Sequence, residues 1–249
     1  VTWSQRRLTG LVAGVCAAGI ALSGCGKQAD ERSSPDRAAS SAPATGGKGG
    51  GKGTDKSNGK GSGKDVLPGL PSAEQARKML GKLTVAKSRP MTGYSRNAFP
   101  HWAQQGDRCD TRETVLERDG QGVKRDDQCR AVSGTWHSLY DDKTLTSASQ
   151  ADIDHMVPLA NAWRSGADSW TTEKRKQFAN DLTHPQLLAA SAASNRSKGD
   201  QGPDQWQPPA KSAWCVYGRA WTSVKDTYGL TVTDEEKKML GTMLGTCNS

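Results

Sequence analysis

Asp152-Ile153-Asp154-His155-Met156-Val157-Pro158-Leu159 reads as a strand with a built-in stop. Polar and apolar residues alternate from 152 to 157, and Pro158, with no N–H to give to a ladder, ends the run. On such a strand Asp152 and Asp154 share one face while His155 points the other way. Carboxylate and imidazole can therefore serve one site only where the strand ends or twists, which Pro158 provides for. A compact apolar run, Leu187-Leu188-Ala189-Ala190, reads as a second strand, and Asn195-Arg196-Ser197-Lys198-Gly199-Asp200 follows it closely. The centre of the chain is thus strand, excursion, strand and then helix, in an α+β domain.

Outward from this centre, a helix is predicted from residue 71 onward, with Ser72 as N-cap and Ala76, Met79, Leu80 and Leu83 on one face. Residues 112–116, 128–132 and 134–139 are expected as short strands between charged, Gly-bearing turns. A short helix is expected over 159–169, and two helices close the chain over 211–228 and 233–244. Thr233 and Glu236 supply a capping box for the last of these.

The first 24 residues have the form of an export signal. Arg6 and Arg7 precede an apolar run over 8–22, too short for a comfortable membrane span. Leu22-Ser23-Gly24-Cys25 resembles a bacterial lipobox, so Cys25 is the expected lipidation site, against an ordinary secretory signal with a chance cysteine. Residues 25–64 are dominated by Gly, Ser, Ala and Lys, with repeated GKG-like units, and are expected as a disordered tether that would span roughly 35 Å as a random coil. The folded domain is expected over 65–249, outside the cell and held to the cell membrane by the lipid anchor, as a monomer.

The tether also carries much of the charge. The whole chain has a formal net charge of +8, yet residues 65–249 hold 24 basic and 22 acidic side chains, a net of +2. The basic composition is therefore no argument for nucleic-acid binding, and any affinity for phosphate must come from a local patch. Four cysteines remain in the domain: Cys109, Cys129, Cys215 and Cys247. In an exported chain they imply disulfides, and the sequence-local pairing Cys109–Cys129 with Cys215–Cys247 is expected among the three possible. No CxxC pair is present to support zinc.

A carboxylate, an imidazole and an amide flanked by Arg196 and Lys198 are the parts for metal-assisted attack on a phosphodiester. A bare DxDH would equally suit a solvated edge strand. The carboxylates Asp152 and Asp154 could also act as the acid and base of a glycosidase, but that leaves Asn195 and Lys198 without a task. His184, His101 and His137 read as structural, as do the seven tryptophans beyond the export signal. Arg112 fits a phosphate contact or an ion pair equally.

These segments together resemble the HNH nucleases of the ββα-metal superfamily. In particular they resemble a secreted actinobacterial family related to the C-terminal domain of GmrSD-type restriction enzymes. The resemblance covers roughly residues 94–247. It is carried by YSRNAFPHW (94–102), CDTRETVL (109–116), SGTW (133–136), DIDHMVPLANAWRSGA (152–167), FANDL (178–182), LLAASAASNRSKGD (187–200) and a helical tail rich in Trp and Cys. It implies His155 as general base, Asp154 and Asn195 as ligands of Mg²⁺ or Mn²⁺, and Lys198 or Arg196 as the cation that meets phosphate charge. It further implies Asp152 as a supporting residue, and Asn180, ahead of Asn161, as the asparagine that fixes the catalytic loop. The substrate it implies is DNA; the alternative is a catalytically silent surface protein that holds DNA or a wall polymer.

Overall fold

A hairpin with a helix laid across it sits at the middle of the molecule, and the rest of the chain supports it. The computed structural model describes residues 67–247. The expected export signal, Cys25 and the tether lie outside the described residues. The element order is α1 (Ala73–Lys82), β1 (Gln104–Gly106), β2 (Cys109–Asp110), α2 (Thr111–Asp119), β3 (Gly120–Arg125), β4 (Ala131–Ser138), β5 (Lys143–Leu145), β6 (Ala151–His155), α3 (Leu159–Arg164), α4 (Thr172–Ala179), β7 (Leu187–Ser191), α5 (Ala192–Lys198), α6 (Trp214–Tyr228) and α7 (Asp234–Gly245), with short 3-10 turns between some of them. This is an α+β domain, as expected from the sequence.

Strands β6 and β7 pair antiparallel, with Asp152 opposite Ala190, Asp154 opposite Leu188 and His155 opposite Leu187. The ladder ends where Pro158 was expected to end it, but a side chain prolongs the pairing first. Buried Gln186 donates from its amide to the Val157 carbonyl at 3.0 Å and accepts from the Val157 N–H at 3.1 Å. The outer edge of β7 is also closed by side chains, as an edge strand's free backbone groups require. Arg118 donates to the Leu187 carbonyl at 2.6 Å, Asp119 accepts from the Ala189 N–H at 2.8 Å, and Ser138 Oγ accepts from the Ser191 N–H at 2.9 Å. Ser191 is at once the last residue of β7 and the N-cap of α5, its hydroxyl accepting from the Ser194 N–H. No loop separates strand from helix, so the register of β7 sets where α5 presents Asn195 and Lys198.

One predicted element changes type. Residues 112–116, expected as a strand, lie in helix α2. Asp110 caps its first turn by accepting from the Glu113 N–H at 2.9 Å, and Val115 and Leu116 are buried against Trp136, whose indole N–H bonds the Leu116 carbonyl at 2.7 Å. Cap and burial outweigh the β-branched composition. The two strands expected over 128–132 and 134–139 are one, β4, in a three-stranded meander ordered β3-β4-β5. Helix α4 lies in the excursion, where only the short helix over 159–169 was expected.

The larger core joins α1, α6 and α7 to the excursion through Phe99, Trp163, Phe178, Tyr217 and Trp221. Both capping assignments hold: Ser72 opens α1, and Thr233 with Glu236 opens α7. The cysteines pair as expected, Cys109 with Cys129 and Cys215 with Cys247. The second bridge closes a loop with a sequence separation of 32, running from the first turn of α6 to the second residue past α7. Replacing Cys215 and Cys247 together by serine should cost about 3–4 kcal/mol of stability, measured as a lowered denaturant midpoint under conditions that leave the other bridge intact.

Candidate active site

Helix α5 crosses the face of β6 on which both aspartates stand. Asn195 donates from its amide to Asp152 Oδ2 at 3.1 Å, and Arg196 Nε lies 3.6 Å from the same oxygen. One helical turn on, the Lys198 ammonium donates to Asp154 Oδ1 at 3.1 Å, to Asp154 Oδ2 at 2.9 Å and to the His155 carbonyl at 2.9 Å. The Tyr140 hydroxyl donates to Asp154 Oδ2 at 2.5 Å. Lys198 has no exposed surface, so its expected place as a phosphate-facing cation is corrected. It is an internal counter-ion that locks α5 to the end of β6. Burial lowers its pKa, and the Asp154 carboxylate opposes that shift.

His155 leaves β6 on the opposite face, as strand geometry demands. Its Nε2 lies 3.0 Å from the Ala179 carbonyl oxygen, which can only accept. Nε2 therefore carries the ring proton and Nδ1 is the bare, basic nitrogen. Burial drives the His155 pKa down to about 3; the Ala179 bond opposes this, and the charges of Arg96, His101 and Lys198 add to it. The ring is neutral over the whole physiological range. The Trp102 ring lies against it, centroids 5.7 Å apart.

The carbonyl that orients His155 is itself held by the next residue. Asn180 accepts from the Ala103 N–H and the Thr111 hydroxyl at 2.8 Å each, and donates to the Pro100 carbonyl at 2.8 Å and the Lys176 carbonyl at 2.7 Å. Two acceptor and two donor positions of the amide are filled. The end of α4 is thereby clamped to the 100–103 segment. The rival Asn161 is engaged elsewhere, accepting from buried Lys225 at 2.7 Å and from Ser165 at 3.2 Å.

Asp154, His155 and Asn195 share one cavity of about 270 Å³, together with Tyr94, Arg96, Pro158 and Asp200. The end of the strand thus brings together a carboxylate and an imidazole from its two faces. Asp152 and Arg196 do not line this cavity. Asp152 supports Asn195 from behind, and the carboxylate pair that a glycosidase would need does not open on a common cleft. Arg112 pairs with Glu113. His184 is bound to Asp181 at 2.8 Å outside the cavity, and His137 makes an exposed pair with Asp142 at 3.2 Å. Arg96 was not singled out from the sequence. Its sequence signal is membership of the run YSRNAFPHW; Tyr94 apart, the other residues of the cavity lie some sixty to a hundred positions away in the chain.

An amide oxygen and a carboxylate are ligand types that a hard divalent cation takes, although the Lys198 ammonium and the Tyr140 hydroxyl already lie on the oxygens of Asp154. Asn195 gives its Nδ2 to Asp152, and its Oδ1 has no protein donor among the described residues. Asp154 contributes carboxylate oxygen on the same wall. Among the described residues there is no group of three or more His, Cys, Asp or Glu side chains that could cage an ion. Two oxygen ligands with the remaining positions left to water is the way Mg²⁺ is commonly held.

Residues 110–243 match the family of GmrSD restriction endonucleases, C-terminal domain, and the chain belongs to that family. It is also 54% identical over 180 residues to an uncharacterized secreted protein of Arthroderma benhamiae, an alignment that covers 72% of this chain and 88% of the relative. That organism is a fungus, whereas the sequence resemblance pointed to actinobacteria. No solved structure matches.

Two measurements follow from the geometry. An unfolded histidine titrates near 6.5, and His155 in the fold titrates at about 3. Between those values only the unfolded chain takes up the proton, so stability falls as pH drops through this window. From pH 6.5 to 4.5 the loss attributable to His155 should be on the order of 2 kcal/mol, and a His155→Gln variant should show a correspondingly flatter denaturation profile. Lys198→Ala should cost about 3–5 kcal/mol by stranding a buried carboxylate, whereas Arg196→Ala, at an exposed pair, should change the midpoint by less than about 1 kcal/mol.

Proposed function

We propose that this chain is a divalent-metal-dependent HNH-type endonuclease that hydrolyses phosphodiester bonds of DNA outside the cytoplasm. The observation that carries the reading is a neutral histidine with Nδ1 bare, in the same cavity as the oxygen ligands Asp154 and Asn195. In this reading His155 Nδ1 accepts a proton from the attacking water. The Ala179 carbonyl keeps the imidazole in the useful tautomer and steadies the imidazolium that forms. A free-state pKa of about 3 makes a weak base, but an anionic phosphodiester entering the cavity favours the protonated ring and raises its basicity. Asp154 and Asn195 hold the cation, with Mg²⁺ or Mn²⁺ as the expected species. When bound, the cation supplies Lewis-acid stabilisation of negative charge on the phosphate and leaving oxygen. Lys198 and Tyr140 fix the rotamer of Asp154, Asp152 fixes Asn195, and Asn180 serves as the middle asparagine of an H-N-N motif.

Two features support an exported protein. The two disulfides suit an oxidising compartment, and the similar fungal protein bears the name of a secreted one. Lipidation at Cys25 rests on Leu22-Ser23-Gly24-Cys25 alone. The silent, DNA-holding reading is favoured by one observation: Lys198 and Tyr140 already cover both oxygens of Asp154.

Nicking of supercoiled plasmid decides between these readings. With Mg²⁺ or Mn²⁺ the protein should nick, and EDTA should abolish the activity. His155→Ala should lose about 10²- to 10⁴-fold in rate with the fold retained. Asp154→Ala should be inactive with weakened metal binding. A folded protein that binds DNA but cuts with neither metal would leave the binding reading in its place.

A further inference from the structure

The expected phosphate cations do not stand on the cavity: Lys198 is fully buried on Asp154, and Arg196 lies against Asp152 away from it. The one basic side chain on the cavity wall, among the described residues, is Arg96. It sits on a 3-10 turn, Arg96–Ala98, whose continuation is firmly pinned. The Ala98 carbonyl accepts from Arg175 at 2.9 Å, Phe99 is fully buried against Trp163 and Phe178, and the Pro100 carbonyl accepts from Asn180.

The side chain is held by one end only. Arg96 Nε donates to His101 Nε2 at 3.3 Å. His101 Nδ1 lies 2.9 Å from the Phe99 carbonyl, so the ring proton belongs on Nδ1 and Nε2 offers a lone pair to the guanidinium. The two terminal amino groups of Arg96 bind no protein acceptor among the described residues. Asp200, another charged residue of the cavity lining, is occupied by Arg164 at 2.8 Å. A planar guanidinium with its tail fixed and its fork open, beside a basic imidazole nitrogen, has the geometry for bidentate contact with phosphate oxygens.

We propose that Arg96 is the phosphate-gripping residue of this site. It contacts the non-bridging oxygens of the scissile phosphodiester through its terminal amino groups, and His101 is a positioning residue that holds the fork. This rests on the nuclease reading for its substrate. The phosphate contact itself can be measured without turnover.

The test uses the full chain in two assays: affinity for a short duplex DNA in EDTA across a salt series, and plasmid nicking with Mg²⁺. Arg96→Ala should lower the slope of log K against log salt by about one and reduce nicking by about tenfold to a hundredfold. Arg96→Lys should keep the slope but not restore nicking, because it keeps the charge and loses the fork. Lys78→Ala, which removes an exposed charge on α1, should match the wild type in both assays. His101→Ala should slow nicking, and His101→Gln, which keeps an acceptor for Nε–H, should recover most of it. An unchanged salt slope in Arg96→Ala overturns the contact whatever the nicking result, and nicking within twofold of wild type overturns it as well. A wild type that binds DNA without cutting it removes the nuclease reading and leaves the slope to decide the contact. A wild type that neither binds nor cuts sinks both.

Discussion

One buried carboxylate, Asp154, joins the three parts of this molecule. It stands on β6, is gripped by Lys198 from α5, and receives the Tyr140 hydroxyl from just beyond β4. Tyr140 in turn packs edge-on against Trp206 and Tyr217, inside the helical core. Burying a full ammonium and a carboxylate is costly, and an apolar pair would hold the elements together as well or better. What the charged pair adds is direction. Lys198 reaches the carboxylate and the His155 carbonyl only from one rotation of α5, and that rotation brings Asn195 onto the cavity.

The two faces of β6 divide the labour. On the α5 side, charge is neutralised in pairs, Asp154 by Lys198 and Asp152 by Arg196, with a hydrogen bond from the neutral Asn195 amide added to Asp152. On the other side His155 meets no countercharge, only a backbone carbonyl and an indole ring. Desolvation without a compensating anion keeps this imidazole uncharged. A neutral imidazole beside a set of neutralised carboxylates needs both arrangements within a few residues of each other, and strand alternation supplies them.

Much of this was legible because the deciding chemistry is local. The stop at Pro158, the capping box of α7 and the alternation that separates Asp154 from His155 depend on residues a few positions apart. The disulfide pairing followed sequence proximity. Helix α2 differs from the expected strand for one local and one tertiary reason: Asp110 caps its first turn three residues from Glu113, and Val115 and Leu116 are buried beneath Trp136, which only the fold brings there. Lys198 was misplaced for a related reason. Spacing shows that Asn195 and Lys198 share a helix face, but not that Tyr140 and the helical core seal that face from water. Arg96 was invisible as a site residue, because nothing near position 96 announces that the turn abuts residue 155.

The cavity is assembled from three stretches far apart in the chain: 94–96, 153–160 and 195–200. Between the last two lies the whole excursion, 156–186, which must close before β7 can pair with β6 and deliver α5. Until then His155 has no carbonyl to set its tautomer, and Asn195 is not beside Asp154. A nascent or unfolded chain therefore carries every residue of the site and none of its arrangement. If the proposed nuclease activity holds, completion of the tertiary fold is itself a safety catch, since no site exists to act before the chain has closed.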